Sequence, residues 1–136
     1  MKRYEILPHR ADLKIRARGR TKEEIFQNAL FGMSKNMKPE IKEQKEKIKR
    51  EIKISSPDRP SLLVDFLSEA LYLAQTNKEV YFDLKLKKIS NNEIKGELVG
   101  QKVKRFGEDI KAATHHDLEV RQKKDKTWEA IVLFDI

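Results

Sequence analysis

The first long alternation of apolar and polar residues covers residues 12–18. Its apolar members are Leu13, Ile15 and Ala17, and the residues between them are basic. Because successive side chains of a strand point to opposite faces, this pattern predicts a strand with one buried face and one solvated face. Further segments with strand patterns are 4–7, 46–54, 80–88, 94–99, 117–121 and 127–135.

Two other segments carry apolar residues at helical spacing instead. Thr21 is predicted to begin the first helix, because Glu24 three residues later completes a capping box, and Pro39 stops that helix. Ser61 is predicted to cap the second helix, which has a broad apolar face.

Together these elements predict one α+β domain, residues 1–136, with two helices packed on a mostly antiparallel arrangement of six or seven strands. The last strand is apolar on both faces at Ile131 and Leu133, so it should be central or covered by a helix. Arg50 interrupts the inward face of segment 46–54, and residues 101–109 have the composition of a polar loop.

Composition narrows the classes of function. The chain contains no cysteine, which excludes disulfides, thiol catalysis and cysteine-ligated zinc. It has neither a signal-peptide pattern nor a long apolar run, so we expect a cytoplasmic protein that does not enter the membrane. The net charge of +8 suggests RNA binding as one function. However, the densest basic stretch, Lys38–Lys53, is interleaved with Glu, and solvated charged faces are the simpler explanation.

Three aspartates stand in apolar runs: Asp12, Asp65 and Asp135. A carboxylate at the edge of a core must be hydrogen-bonded, paired with a cation, or bound to a metal such as Ca²⁺ or Mg²⁺, which prefer oxygen ligands. Asp12 and Asp135 lie at strand ends, and the terminal carboxylate of Ile136 would add another oxygen. Simpler roles exist as well, since Asp65 could favour the helix N-terminus and Asp135 could be a solvated terminus.

The histidines and Lys111 are weaker candidates. His9 lies three residues before Asp12, whereas His115 and His116 are adjacent and should face opposite ways in a strand. The chain has no phosphate-binding loop, nucleophile elbow or zinc-protease spacing. A metal-dependent hydrolase, with the three aspartates holding the ion and His9 or His115 as acid–base, nevertheless remains an alternative.

Five segments in order give the chain a resemblance to the archease family: 9–13, 19–24, 62–73, 111–120 and 133–136. The departures from the usual family pattern are Arg10 in place of Thr, Phe66 in place of a common Trp, and the triplet at 116–118. None of these departures replaces a candidate aspartate, so Asp12, Asp65 and Asp135 are all present.

The resemblance implies a function and a site. Archeases are non-enzymatic protein cofactors of the RNA ligase RtcB, which joins tRNA exon halves, and they promote ligase guanylylation and multiple turnover. The resemblance assigns a divalent-metal site to Asp12 and Asp135, with Asp65 and the Ile136 carboxylate as further ligands. Ca²⁺ is the ion expected in a structure, with Mg²⁺ or Mn²⁺ as alternatives.

The resemblance also bears on partners. It assigns contact with the partner or its active site to Lys111, His9 and His115. RNA would be reached through the ligase, and a monomer is favoured. The alternatives left open are a basic RNA-binding module and a chaperone-like modulator of an RNA-modifying enzyme.

Overall fold

The computed structural model describes residues 1–43 and 46–136, and within these ranges the chain forms two helices and eight strands. The helices are α1 (Lys22–Asn36) and α2 (Arg59–Asn77). The strands are β1 (Tyr4–Leu7), β2 (Leu13–Gly19), β3 (Pro39–Ile41), β4 (Ile48–Ser55), β5 (Glu79–Ile89), β6 (Glu93–Phe106), β7 (Ala112–Gln122) and β8 (Trp128–Asp135). Gln44 and Lys45, which belong to the dense basic stretch, lie outside the described residues.

The strands form two antiparallel sheets, and the helices pack on both of them. The first sheet has the order β1-β2-β8-β7, and in the second β6 pairs with β3, β4 and β5. Apolar residues of both helices share one core with the inner faces of both sheets. The predicted α+β class is therefore confirmed. The prediction that the last strand is central is also confirmed, because β8 lies between β2 and β7.

The starts of the two helices test the capping predictions. Thr21 caps α1 as predicted: its hydroxyl accepts from the Glu24 N–H at 3.2 Å. The prediction of Ser61 as the cap of α2 is wrong, because Asp58 is the cap and its carboxylate accepts from the Ser61 N–H at 2.8 Å. Pro60 can stand in the first turn because the N–H that proline lacks has no partner inside the helix there. In the described ranges neither helix has the length and apolar character needed to cross a membrane.

The prediction of a polar loop at residues 101–109 is wrong for residues 101–106, and only residues 107–109 lie outside a strand. Strand β6 continues to Phe106, with Lys102 paired to Glu79 of β5 and Val103 paired to Ile41 of β3. Strand β3 has three residues and is too short to be recognised from alternation. Because β3 could not be recognised, nothing in the sequence marked the end of β6 as its pairing partner, and the polar composition of that segment was typical of a loop.

The inward-facing Arg50 of β4 is explained by a buried carboxylate on β5. The side chain of Glu79 is 0% exposed, and Arg50 donates to both its oxygens at 2.9 and 2.8 Å. The Tyr81 hydroxyl donates at 2.6 Å, and Lys102 Nζ lies 3.2 Å away. Burial acts to raise the pKa of Glu79, but these hydrogen bonds outweigh it and lower the pKa to about 2. Glu79 is thus a fully partnered carboxylate that belongs to the fold.

Candidate functional site

The pairing of β2 with β8 brings two of the predicted aspartates to one edge of the first sheet. Leu13 pairs with Phe134 in antiparallel register, so the next pair outward along the two strands is Asp12 and Asp135. Leu13 and Phe134 belong to the inner face, on which the core packs. Because side chains alternate along a strand, the two aspartates belong to the outer face. We call this end of the two strands the acidic edge.

His9 links the acidic edge to a third carboxylate. Its Nδ1 lies 3.5 Å from Asp12 Oδ2, and its Nε2 lies 3.9 Å from Oδ2 of Asp117. The Asp117 carboxylate also lies 3.8 Å from Lys14 Nζ and 3.9 Å from His116 Nε2. These distances are those of electrostatic contacts between partly exposed groups, not of tight hydrogen bonds. The Lys14 ammonium offsets part of the repulsion between neighbouring carboxylates.

Asp117 reaches this position because β7 bulges. Thr114 pairs with Leu133 of β8, but the next paired residue on β7 is Glu119, opposite Ile131. Four residues of β7 therefore stand opposite one residue of β8. Asp117 has a φ of 55°, in the left-handed region that non-glycine residues seldom adopt. Ala11, directly before Asp12, has a φ of 64°. Bulges and such backbone conformations are found repeatedly at functional sites.

The structure places Asp65 in a different setting. Asp65 lies on α2, and its Oδ2 accepts a hydrogen bond from the Ser56 hydroxyl at 2.5 Å. Helix α2 contributes its apolar residues to the core on the inner face of the first sheet, whereas Asp12 and Asp135 belong to the outer face. The structure thus brings Asp12 and Asp135 together, and Asp65 instead joins α2 to the segment before it.

The remaining candidates lie along β7 and just before it. The Lys111 N–H donates to the Asp135 carbonyl at 2.8 Å, so the backbone of Lys111 lies beside the end of β8 and its side chain is exposed. His115 lies near Asp58: the hydrogen bonds from Ser61 hold the pKa of Asp58 below its ordinary value, and His115 makes a smaller electrostatic contribution. His115 and His116 thus have different neighbours, and both lie in the bulge of β7, where regular strand alternation does not apply.

Sequence reasoning did not single out Asp117 or Lys14 as members of this site. The position of Lys14 could have been predicted, because strand alternation places it on the same face as Asp12, which lies two residues earlier. Asp117 gave no such signal, since its contacts depend on the bulge in β7 and on the packing of that bulge over the neighbouring strands.

The acidic edge supplies part of a set of metal ligands. Asp12 and Asp135 offer carboxylate oxygens, the donors that Ca²⁺ and Mg²⁺ prefer, but Ca²⁺ takes about six to eight of them. Across residues 1–43 and 46–136, no three or more His, Asp or Glu side chains form a group arranged to hold a metal ion. The donors present do not form a complete site by themselves, so the metal site implied by the resemblance stays a prediction.

Two solved structures share this two-sheet α+β fold. The solution structure of protein 1598 from Methanobacterium thermoautotrophicum has a TM-score of 0.74 and 28% sequence identity, and covers all of both chains. The crystal structure of an archease from Thermotoga maritima, described as a possible chaperone, has a TM-score of 0.66 and 18% identity, with 96% of this chain and 94% of that chain covered.

Sequence comparison assigns the family. Residues 4–136 match the Archease protein family (MTH1598/TM1083). The protein archease of Methanosarcina barkeri is 39% identical over 143 aligned positions, which cover 99% of this chain and 97% of the relative. The protein archease of Pyrococcus furiosus is 32% identical over the full length of both chains. The chain belongs to the archease family.

Proposed function

We propose that this archease is a non-enzymatic cytoplasmic cofactor of the RNA ligase RtcB that promotes ligase guanylylation and multiple turnover in tRNA exon joining. Membership of the family over nearly the whole chain supports this proposal. The observation that carries it is the acidic edge, because its carboxylates lie on the surface and have few partners in the fold.

The contacts of the acidic edge fit a role outside the fold. Among the described residues, the Asp135 side chain is exposed and forms no hydrogen bond or ion pair, and Asp12 has only the 3.5 Å contact with His9. A carboxylate that the fold does not use remains available to a divalent cation or to a basic surface of a partner. We also propose three residues as partner contacts. They lie on the segments that flank this edge or lead away from it, and they are Lys111, His9 and His115.

We assign the divalent ion to Asp12 and Asp135, with the Ile136 carboxylate as a further donor. Terbium luminescence and calorimetry with Ca²⁺, Mg²⁺ and Mn²⁺ test this assignment in the isolated protein. Asp12→Asn and Asp135→Asn should each weaken binding about tenfold or more. Asp125→Asn is the matched control. Asp125 is an exposed aspartate in the turn before β8 begins, so it lies at the end of that strand remote from the acidic edge. If all three variants bind the ion like the parent protein, the metal assignment is wrong.

Guanylylation of the cognate ligase, measured with and without substoichiometric archease, tests the function itself. A protein cofactor should accelerate guanylylation and allow repeated turnover, and Asp12→Asn and Asp135→Asn should lose this stimulation while Asp125→Asn keeps it. Unchanged ligase kinetics on addition of the parent protein would contradict the proposal.

The chaperone-like alternative makes a different prediction. It requires the protein to raise the yield or activity of an RNA-modifying enzyme, such as an RNA methyltransferase, in the absence of any ligase. An assay with the methyltransferase alone therefore separates the two functions.

The hydrolase alternative predicts turnover of phosphoesters by the protein alone.

A further inference from the structure

A second polar surface lies at the other end of β2. A pocket of about 390 Å³ is lined by four basic residues, Lys2, Arg3, Arg18 and Arg20, and by a single acid, Glu24. We call it the basic pocket. The Glu24 carboxylate accepts a hydrogen bond from the Arg20 backbone N–H at 2.6 Å as part of the capping of α1. It is therefore directed at the backbone and pairs with none of the four basic side chains.

The arginines of the basic pocket are held in place by neutral groups as well as by charge. Arg3 donates from Nε to the Asn28 side chain at 2.8 Å, and its guanidinium lies 3.8 Å from the centre of the Phe31 ring. Stacking and a single hydrogen bond orient this guanidinium and leave its other donors available.

Arg18 has a donor without a partner. One of its terminal nitrogens pairs with Glu5 at 2.9 Å, but its Nε is buried and has no hydrogen-bond partner among the described residues. In the described part of the chain, the side chains of Lys2 and Arg20 form no ion pair within 4.0 Å, and both are exposed. The basic pocket thus has an excess of oriented donors and positive charge.

We propose that the basic pocket binds a phosphate group of a single-stranded RNA. The planar fork of a guanidinium matches the oxygens of a phosphate, and Arg3 presents such a fork beside the exposed charges of Lys2 and Arg20. No aromatic residue is among the described residues that line the pocket, so it has no ring on which a base could stack. Binding should therefore follow the RNA backbone and be independent of sequence.

The basic pocket and the acidic edge stand at opposite ends of one rigid element. Strand β2 has seven residues, so the two surfaces are separated by roughly 20 Å. A strand in the middle of a paired sheet holds this separation fixed. One end of β2 can thus contact RNA while the other meets a different partner. The RNA contact does not rest on the ligase proposal, because it is measured without ligase.

Fluorescence anisotropy with a labelled single-stranded RNA of about ten nucleotides tests the proposal across a salt series. The double variant Lys2→Gln/Arg20→Gln removes two exposed charges from the pocket. Lys49→Gln/Lys53→Gln removes the same charge from exposed positions on β4 and is the matched control. We expect the Kd to rise about tenfold for the pocket variant and less than about twofold for the control. The salt slope of the pocket variant should fall by about 1.4, that is by about 0.7 for each charge removed.

Each result decides the proposal. Equal weakening by both double variants would indicate diffuse attraction to the overall positive charge and would overturn the pocket. Absence of RNA binding by the parent protein would overturn it as well. NMR titration with inorganic phosphate and with GTP tests the source of the phosphate: amide shifts around residues 18–28 with these probes, together with no RNA binding, would assign the pocket to a small phosphate and overturn the RNA assignment. Thermal unfolding of each variant confirms that the fold is retained.

Discussion

Glu79 and Asp135 carry the same functional group at the end of a strand, and the fold treats them in opposite ways. Glu79 begins β5, is fully buried, and has Arg50, Tyr81 and Lys102 as partners. Asp135 ends β8, is exposed, and has no side-chain partner among the described residues. A carboxylate with every oxygen engaged is part of the structure, whereas one without partners is available for binding.

The comparison extends to the backbone around each carboxylate. Glu79 directly follows Lys78, which has a φ of 52°, and β5 shifts its register against β6 at two places. The acidic edge is likewise flanked by a bulge in β7 and by two left-handed non-glycine residues, Ala11 and Asp117. Left-handed backbone at such residues costs about 1–2 kcal/mol each. Backbone strain therefore occurs beside both carboxylates, and what separates them is the number of partners that each has in the fold.

The largest effect should come from removing the main partner of Glu79. Arg50→Ala leaves a buried carboxylate with only Lys102 and Tyr81, so the free energy of unfolding should fall by about 3 kcal/mol or more. Arg105→Ala is the matched control, because Arg105 pairs with Glu40 at 2.6 Å with side chains 78% and 45% exposed. That variant should lose less than about 1 kcal/mol. Urea unfolding measures both, and equal losses would contradict the structural role given to Glu79.

Acid should weaken the same cluster. The pKa of Glu79 is lowered from 4.5 to about 2 in the folded protein. A lowered pKa gives stability that is complete above pH 4.5 and is lost as pH falls towards 2. The loss should amount to about 3 kcal/mol. Urea unfolding from pH 6 to about 2 measures it as the difference between the parent protein and Glu79→Gln, because Glu5, Asp58 and Asp125 also have lowered pKa values. A constant difference between the two proteins over this range would refute the assignment.

The Glu79 and Asp135 carboxylates also show which features of the structure can be predicted from the sequence. Alternation and helical spacing are local, so they predicted both helices, the α+β class and the central position of β8. The burial of Glu79 depends on Arg50, 29 residues earlier, and nothing local marks Glu79 as different from other acids. Arg50 itself did carry a signal, as a charge on an inward face of its strand.

The acidic edge was predicted in its members but not in its geometry. Asp12 and Asp135 stand out because apolar residues surround them, yet their proximity depends on the register between the second and the last strand of the chain. Asp117 depends on a bulge, and strand β3 on pairing of only three residues. Long-range register, bulges and very short strands are tertiary features that local patterns do not specify.

Glu129 offers an intermediate case between the buried and the exposed carboxylate. Its side chain is 3% exposed and pairs with Arg121 at 2.6 Å and with Arg16 at 3.2 Å. Arg16 keeps a second partner in Glu5 at 2.7 Å, and Arg121 is largely exposed, so neither guanidinium is left buried without a partner. Glu129→Gln should therefore cost about 2 kcal/mol, less than Arg50→Ala. A loss larger than that of Arg50→Ala, measured by urea unfolding, would reverse the order of the comparison.

Asp135→Asn should have the smallest effect on stability and so gives the sharpest test. The substitution keeps the size of the side chain, and the backbone carbonyl of Asp135 still accepts from the Lys111 N–H. Because the carboxylate has no partner to lose in the described structure, the free energy of unfolding should change by less than about 0.5 kcal/mol. A loss of several kcal/mol would mean that the fold uses this carboxylate after all. Unchanged stability together with lost ion binding and lost ligase stimulation would show that the carboxylate serves binding alone, since no structural defect could then account for the loss.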